Sequence, residues 1–254
     1  MSEQISSVNP GPSPPDPSVD TLLDAALREG FERVKPLQLP NGRRFWLKRV
    51  ERLSARMRLQ KGNPDRAFAA ERQGLHYLAD HGLPVPEILR EGDDYFLLPD
   101  AGPTLTQLVA SKAETSPDQV QVAFAAAGKS LARLHHAGLS HGRPAPRDIC
   151  WDGRLARFID LERFSPARRS GFWQALDIII LTQSCFTLWP AEPDWLQAAL
   201  QSYALNAPES AMERAGRLAG QLAWLTPLTR ALLRFRPHSR ELNAVRLTLA
   251  HLRR

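Results

Sequence analysis

The stretch from His141 to Phe164, HGRPAPRDICWDGRLARFIDLERF, restricts this chain more than any other. It reads as a loop, a short hairpin and an apolar strand stub, and the stub ends on a carboxylate at Phe158-Ile159-Asp160. Helical spacing precedes it at Val120, Phe124, Ala127, Leu131 and Leu134 and returns over residues 170–187. A length of 254 residues, 43% of them hydrophobic, suits two lobes packed together. Cys150 and Cys185 are too few for a disulfide framework and lack metal spacing; they read as buried apolar residues in a reducing compartment. The net charge of +6 and pI near 9.8 point to an anionic partner: nucleotide, phosphorylated lipid, nucleic acid or a membrane face.

Residues 1–18 are proline-rich, without a basic start or an apolar run, and are expected to form a disordered tail rather than a secretory signal. The apolar run Ile178-Ile179-Ile180-Leu181 is far short of the ~20 residues a bilayer span needs. The expected location is therefore cytoplasmic, with contact at the inner membrane face left open. Residues 19–28 have helical spacing with Asp20 as a cap, and Asn41-Gly42 between two extended runs marks a hairpin. Arg44 to Arg49 alternates as a strand bearing Lys48. Gly62-Asn63-Pro64 reads as a turn, and residues 65–80 as a helix with Phe68, Leu75 and Leu78 inward, closed by Gly82. Tyr95 to Leu98 reads as a buried strand running into a linker at Asp100 and Gly102. Adjacent His135 and His136 face different ways on a helix and make a poor metal site. The C-terminal helices carry Arg230, Arg234, Arg236, Arg240, Arg246, Arg253 and Arg254 between leucines, a pattern that fits either a solvated face or peripheral contact with an anionic membrane. No nucleic-acid-binding motif is present, so that partner is not expected.

The central stretch resembles the loop H-x-D-x-x-x-x-N and the Asp-ended strand of the protein-kinase-like superfamily. Within it, Ile159-Asp160-Leu161-Glu162 and Leu83-Pro84-Val85-Pro86 resemble the lipopolysaccharide core kinases and the aminoglycoside-phosphotransferase-like branches. The resemblance covers roughly residues 31–205. It implies a two-lobe fold, with a small antiparallel sheet lobe over residues 19–100 and a helical lobe over 101–254 whose catalytic-loop region is 139–164. It implies ATP and Mg²⁺ as cofactors, Lys48 gripping phosphates and Glu71 holding Lys48. It further implies a nucleotide-binding hinge at Asp100 and Gly102, metal ligation by Asp148 and Asp160, and an Asp177 that binds the backbone of the loop. His141 takes the family's His position. The family's Gly-rich phosphate loop is missing, with only Gly30 ahead of the hairpin.

The departure is Arg143, which stands where the family keeps its catalytic aspartate. A guanidinium cannot accept a proton near neutral pH, and positioned acid–base catalysis is typically worth ~10²–10⁴-fold. Two readings follow. The chain is a phosphotransferase acting on a sugar, lipid or protein hydroxyl, with Arg143 binding an anionic acceptor such as a lipopolysaccharide core or the γ-phosphate. Alternatively it is a pseudokinase that binds nucleotide or a protein partner, with Arg143 locked on Asp160 or Glu162.

Overall fold

The computed structural model describes residues 17–51, 64–111, 115–191 and 194–253. The expected tail, apart from its last two residues, and most of the turn signal at Gly62-Asn63-Pro64 lie outside them. Helix α1 (Pro17–Arg28) opens on a proline, which costs nothing in a first turn whose N–H groups have no helical acceptor. Asp20 is thus not the cap that the sequence suggests; it sits inside the first turn and accepts from Arg90 Nε at 2.6 Å. Val19, Leu23 and Ala26 form the buried face of α1.

Strands β1 (Val34–Gln38) and β2 (Arg44–Arg49) form the expected hairpin, whose turn places Gly42 at φ 86°, where an L side chain would be strained. With β3 (Arg90–Glu91) and β4 (Tyr95–Pro99) they make an antiparallel sheet in the order β1-β2-β4-β3. Alternation along β2 sends Phe45 and Leu47 toward α1, where they pack with Leu37 and Leu97, and sends Trp46 and Lys48 to the opposite face. A one-residue slip would expose Phe45 and Leu47, each worth ~1.5–3 kcal/mol of burial, so the register that aims Lys48 is strongly held.

Helix α2 (Pro64–Asp80) covers that opposite face with Phe68, Leu75 and Leu78. It ends in a Schellman motif in which Leu83 N–H donates to Leu78 O at 2.9 Å and Gly82 N–H to Ala79 O at 2.8 Å, with Gly82 at φ 63°.

The chain enters the helical lobe through α3 (Leu105–Ala110), whose start is fixed by a Thr104/Gln107 capping box. Helix α4 (Pro117–His136) is capped likewise by Ser116 and Gln119. A short 3₁₀ turn (Pro146–Asp148) leads into the ribbon β5 (Ile149–Trp151) and β6 (Ala156–Phe158). Residues 161–170 then connect directly to α5 (Gly171–Leu188), the most apolar helix, with Ile178, Ile179 and Leu181 buried. Helices α6 (Asp194–Asn206), α7 (Ala211–Gln221), α8 (Leu225–Phe235) and α9 (Arg240–His251) complete the lobe. Amphipathic spacing runs unbroken over residues 211–225, yet α7 stops at Gln221 and a 3₁₀ turn follows at Leu222–Trp224. The architecture is thus α+β, a small antiparallel sheet lobe on a mainly helical lobe. Among the described residues, no helix is long and apolar enough to cross a membrane.

Candidate functional site

Lys48 projects from β2 toward α2 and is ion-paired with Glu71, which is 4% exposed. A carboxylate that buried would be costly alone, so the pair fixes both side chains. Two adjoining cavities share Lys48. One, of 190 Å³, is an apolar slot between the lobes walled by Val34, Leu98, Ala101, Cys150 and Ile159. The other, of 390 Å³, is polar and lined by Arg33, Arg49, Glu71, Arg143 and Asp160 among others.

Asp160 enters the polar cavity from just beyond the ribbon, whose Cys150 walls the apolar slot. Ile149 pairs with Phe158, and Ile159 N–H donates to Asp148 O at 2.9 Å, so Asp148 and Asp160 flank the open end of one two-stranded element. Asp160 has φ 60°, a left-handed conformation that a non-glycine residue holds only when its surroundings impose it. Its Oδ2 accepts from Arg143 Nη2 at 2.8 Å; its Oδ1 is buried without a hydrogen bond. Asp148 Oδ2 is likewise buried without one, with Arg147 Nε at 3.6 Å. Burial and then the Asp160 charge push the Asp148 carboxyl up to about 6, against the pull of Arg147 and Arg143.

The loop carrying His141 and Arg143 is held from beneath. Asp177 of α5 accepts from His141 N–H at 2.6 Å and from Gly142 N–H at 2.8 Å. Its carboxylate also lies 3.3 Å from His135 Nε2, while His135 Nδ1 meets Tyr203 OH at 2.7 Å. Gly142 is required twice over: φ is 93°, and a Cβ there would lie 2.5 Å from Arg163 O. His141 itself is buried, edge-on to Phe158, and burial pushes its imidazole pKa down. Its Nδ1 accepts from Arg143 N–H at 3.3 Å. A buried His141 in this setting orients the loop backbone and has no open path to a reacting group.

The residues singled out at the hinge divide. Gly102 lines the slot at φ 89°, and a Cβ there would lie 2.2 Å from Trp151 O, so close approach of the linker to β5 demands glycine. Asp100 does not line it; its carboxylate is held by Arg44 Nη2 at 2.7 Å and Trp46 Nε1 at 3.0 Å. Arg33 and Arg49 are not legible from spacing as cavity residues, nor is the His135–Tyr203 pair beneath Asp177. Cys150 is buried as expected, but its side chain also walls the slot, and burial pushes its thiol up to about 12. Of the two adjacent histidines, His135 is buried and His136 exposed. A third cavity, of 490 Å³, lies along α5 and shares Arg143 and Arg163 with the polar one.

The sheet lobe and the helical lobe thus meet at a lysine–glutamate pair beside a cavity that Asp160 lines. No family model matches the chain. A Haemophilus influenzae protein described only as uncharacterized is 33% identical over 153 residues, a match covering 60% of this chain and 62% of that protein, so under two thirds of its length is spanned. The solved structure of a MAP kinase from Leishmania major is 15% identical with a TM-score of 0.44, covering 75% of this chain and 69% of that one.

Proposed function

We propose that this chain is an ATP-dependent phosphotransferase of the protein-kinase-like type, acting on a sugar, lipid or protein hydroxyl in the manner of the lipopolysaccharide core kinases and their relatives. The observation that carries this reading is the position of Lys48, tied to Glu71 and bordering both the apolar slot and the polar cavity that Asp160 lines. In this reading the base lies in the slot and the phosphates run past Lys48.

Asp148 and Asp160 suit Mg²⁺, a hard cation that takes oxygen ligands, often only one or two of them carboxylates. Each carries a buried oxygen without a hydrogen bond, and their mutual repulsion is what a cation between them would relieve. Bound there, Mg²⁺ would neutralise charge on the transferring phosphoryl group. The acceptor oxygen bonds to the γ-phosphorus as the bond to the bridging oxygen breaks; ADP leaves and the hydroxyl proton passes to water. Arg143, lacking a basic atom, serves as an electrostatic clamp on the phosphoryl group or on an acceptor anion in the adjoining 490 Å³ cavity. The working location is the cytoplasm.

One observation favours a second reading: the Arg143 guanidinium is spent on Asp160 itself, at 2.8 Å. That ion pair suits a pseudokinase that binds nucleotide, or a protein partner, without turnover. ATP titration with and without Mg²⁺, followed by measurement of ADP release, separates the two. Mg²⁺-dependent binding with ADP release supports transfer, whereas binding alone supports the second reading. Equal ATP affinity in wild type, Lys48→Ala and Asp160→Asn would sink nucleotide binding at this site and leave only the protein-partner form of the second reading.

A further inference from the structure

Helix α8 and the turn before it leave Trp224 63% exposed, Leu228 47%, Leu232 42% and Phe235 84%. At about 100° per residue these positions fall within one arc of roughly 80°, so they form a single apolar stripe rather than scattered exposed residues. The flank next to Leu232 turns into the fold, for Thr229 is buried and its hydroxyl donates to Thr226 O at 2.9 Å. Burial among the described residues therefore does not account for the stripe. Large apolar side chains left together in water mark a contact surface.

The charge around the stripe identifies what covers it. Between Leu222 and Arg240 the sequence has Arg230, Arg234, Arg236 and Arg240 and no Asp or Glu. The acidic residues that bracket this segment are Glu213 on α7, 3.4 Å from Arg217, and Glu241 at the start of α9, 3.2 Å from Ser239 Oγ. Arg234 and Arg230 lie about 80° and 120° round the helix from Trp224, beyond exposed Pro227 and Ala231, so the exposed half of the helix carries Trp, Leu and Phe along one side and guanidinium groups along the other. A helix that lies in a lipid interface has this composition: the rings and leucines enter the acyl boundary, and the arginines reach headgroup phosphates.

We propose that α8 docks the protein on an anionic membrane surface, lying in the plane of the interface. This goes beyond the phosphotransferase reading and stands without it. It has a geometric bearing on that reading, because Glu241 lines the 490 Å³ cavity and lies six residues beyond Phe235, a chain reach of at most ~22 Å. Docking would hold that cavity close to the headgroups.

The test is co-sedimentation of the full chain with vesicles of phosphatidylcholine alone or mixed with phosphatidylglycerol, at low and high salt. Binding to the anionic vesicles that falls with salt, and that drops roughly 10-fold or more in Trp224→Ser/Phe235→Ser and in Arg230→Glu/Arg234→Glu, is the expected result. All four side chains are exposed, so thermal unfolding should match wild type. Equal binding to both vesicle types, no binding to either, or undiminished binding by the two double variants would overturn the proposal. So would sedimentation equilibrium showing a dimer that Phe235→Ser dissociates, since the stripe would then belong to a second copy. Because ATP titration is a separate measurement, failure of the nucleotide reading leaves this result interpretable.

Discussion

Single residues decide the chemistry here, and Arg143 decides most. Its guanidinium holds one oxygen of Asp160 at 2.8 Å, and in the phosphotransferase reading proposed above it stands at the base position. Arg143→Ala should free Asp160 Oδ2 and tighten Mg²⁺ binding, read as a larger Mg²⁺-induced rise in melting temperature than wild type gives. Arg143→Asp places a carboxylate where the kinase-like loop carries its base. Higher ADP release in that variant identifies an impaired enzyme, and lower release identifies an adapted one. Lys48 and Glu71 form a second unit. Removing Lys48 alone strands a buried carboxylate and should cost about 3 kcal/mol in denaturant unfolding, whereas Lys48→Met with Glu71→Gln should recover much of that loss. A double variant no more stable than Lys48→Ala would show that the pair contributes no mutual stabilisation. The pairing of Lys48 with Glu71 could be anticipated from the sequence because strand alternation and the loop resemblance rest on local features, whereas Asp148 lines neither cavity that Lys48 borders. Arg33, Arg49 and Arg163 could not be anticipated, since they reach the cavity only through how the lobes close.

At the scale of elements, close approach is set by small residues. Gly128 of α4 lies against α6 so tightly that a Cβ would come within 2.0 Å of Ala199 O. Gly128→Ala should therefore destabilise the helical lobe by about 2 kcal/mol or more, seen as a lower denaturant midpoint. Gly74 of α2 similarly lets Leu161 approach to 3.1 Å of a built Cβ, which seats the segment after Asp160 beneath the sheet lobe. Asp177 joins α5 to the His141 loop through two charge-assisted hydrogen bonds. Asp177→Asn should cost about 2 kcal/mol and lower nucleotide-dependent activity by more than the stability loss explains, because the loop that aims Arg143 loses its anchor. Helix existence was legible from apolar periodicity at almost every position. The start of α1 and the break between α7 and α8 were not, because proline tolerance in a first turn and a 3₁₀ interruption leave the apolar spacing unchanged.

For the whole molecule, the two lobes meet around Lys48, so a ligand touching both should raise global stability. At about 100 times its dissociation constant, ATP with Mg²⁺ should add about 2.7 kcal/mol, visible as a thermal shift that Asp160→Asn largely removes. An equal shift in wild type and Asp160→Asn would separate nucleotide binding from the metal. The segment from Leu161 to Ser170 bears on how such a molecule could be controlled. It is tied down along its length: Phe164 N–H donates to Leu161 O, Arg168 Nη1 to Arg163 O, Ser140 Oγ to Arg168 O and Arg169 Nη2 to Tyr77 OH, while the Arg168 guanidinium stacks over Trp173. A segment already fastened to both lobes has little ordering left to undergo when a ligand enters the cleft, so amide protons along it should exchange as slowly before nucleotide is added as after.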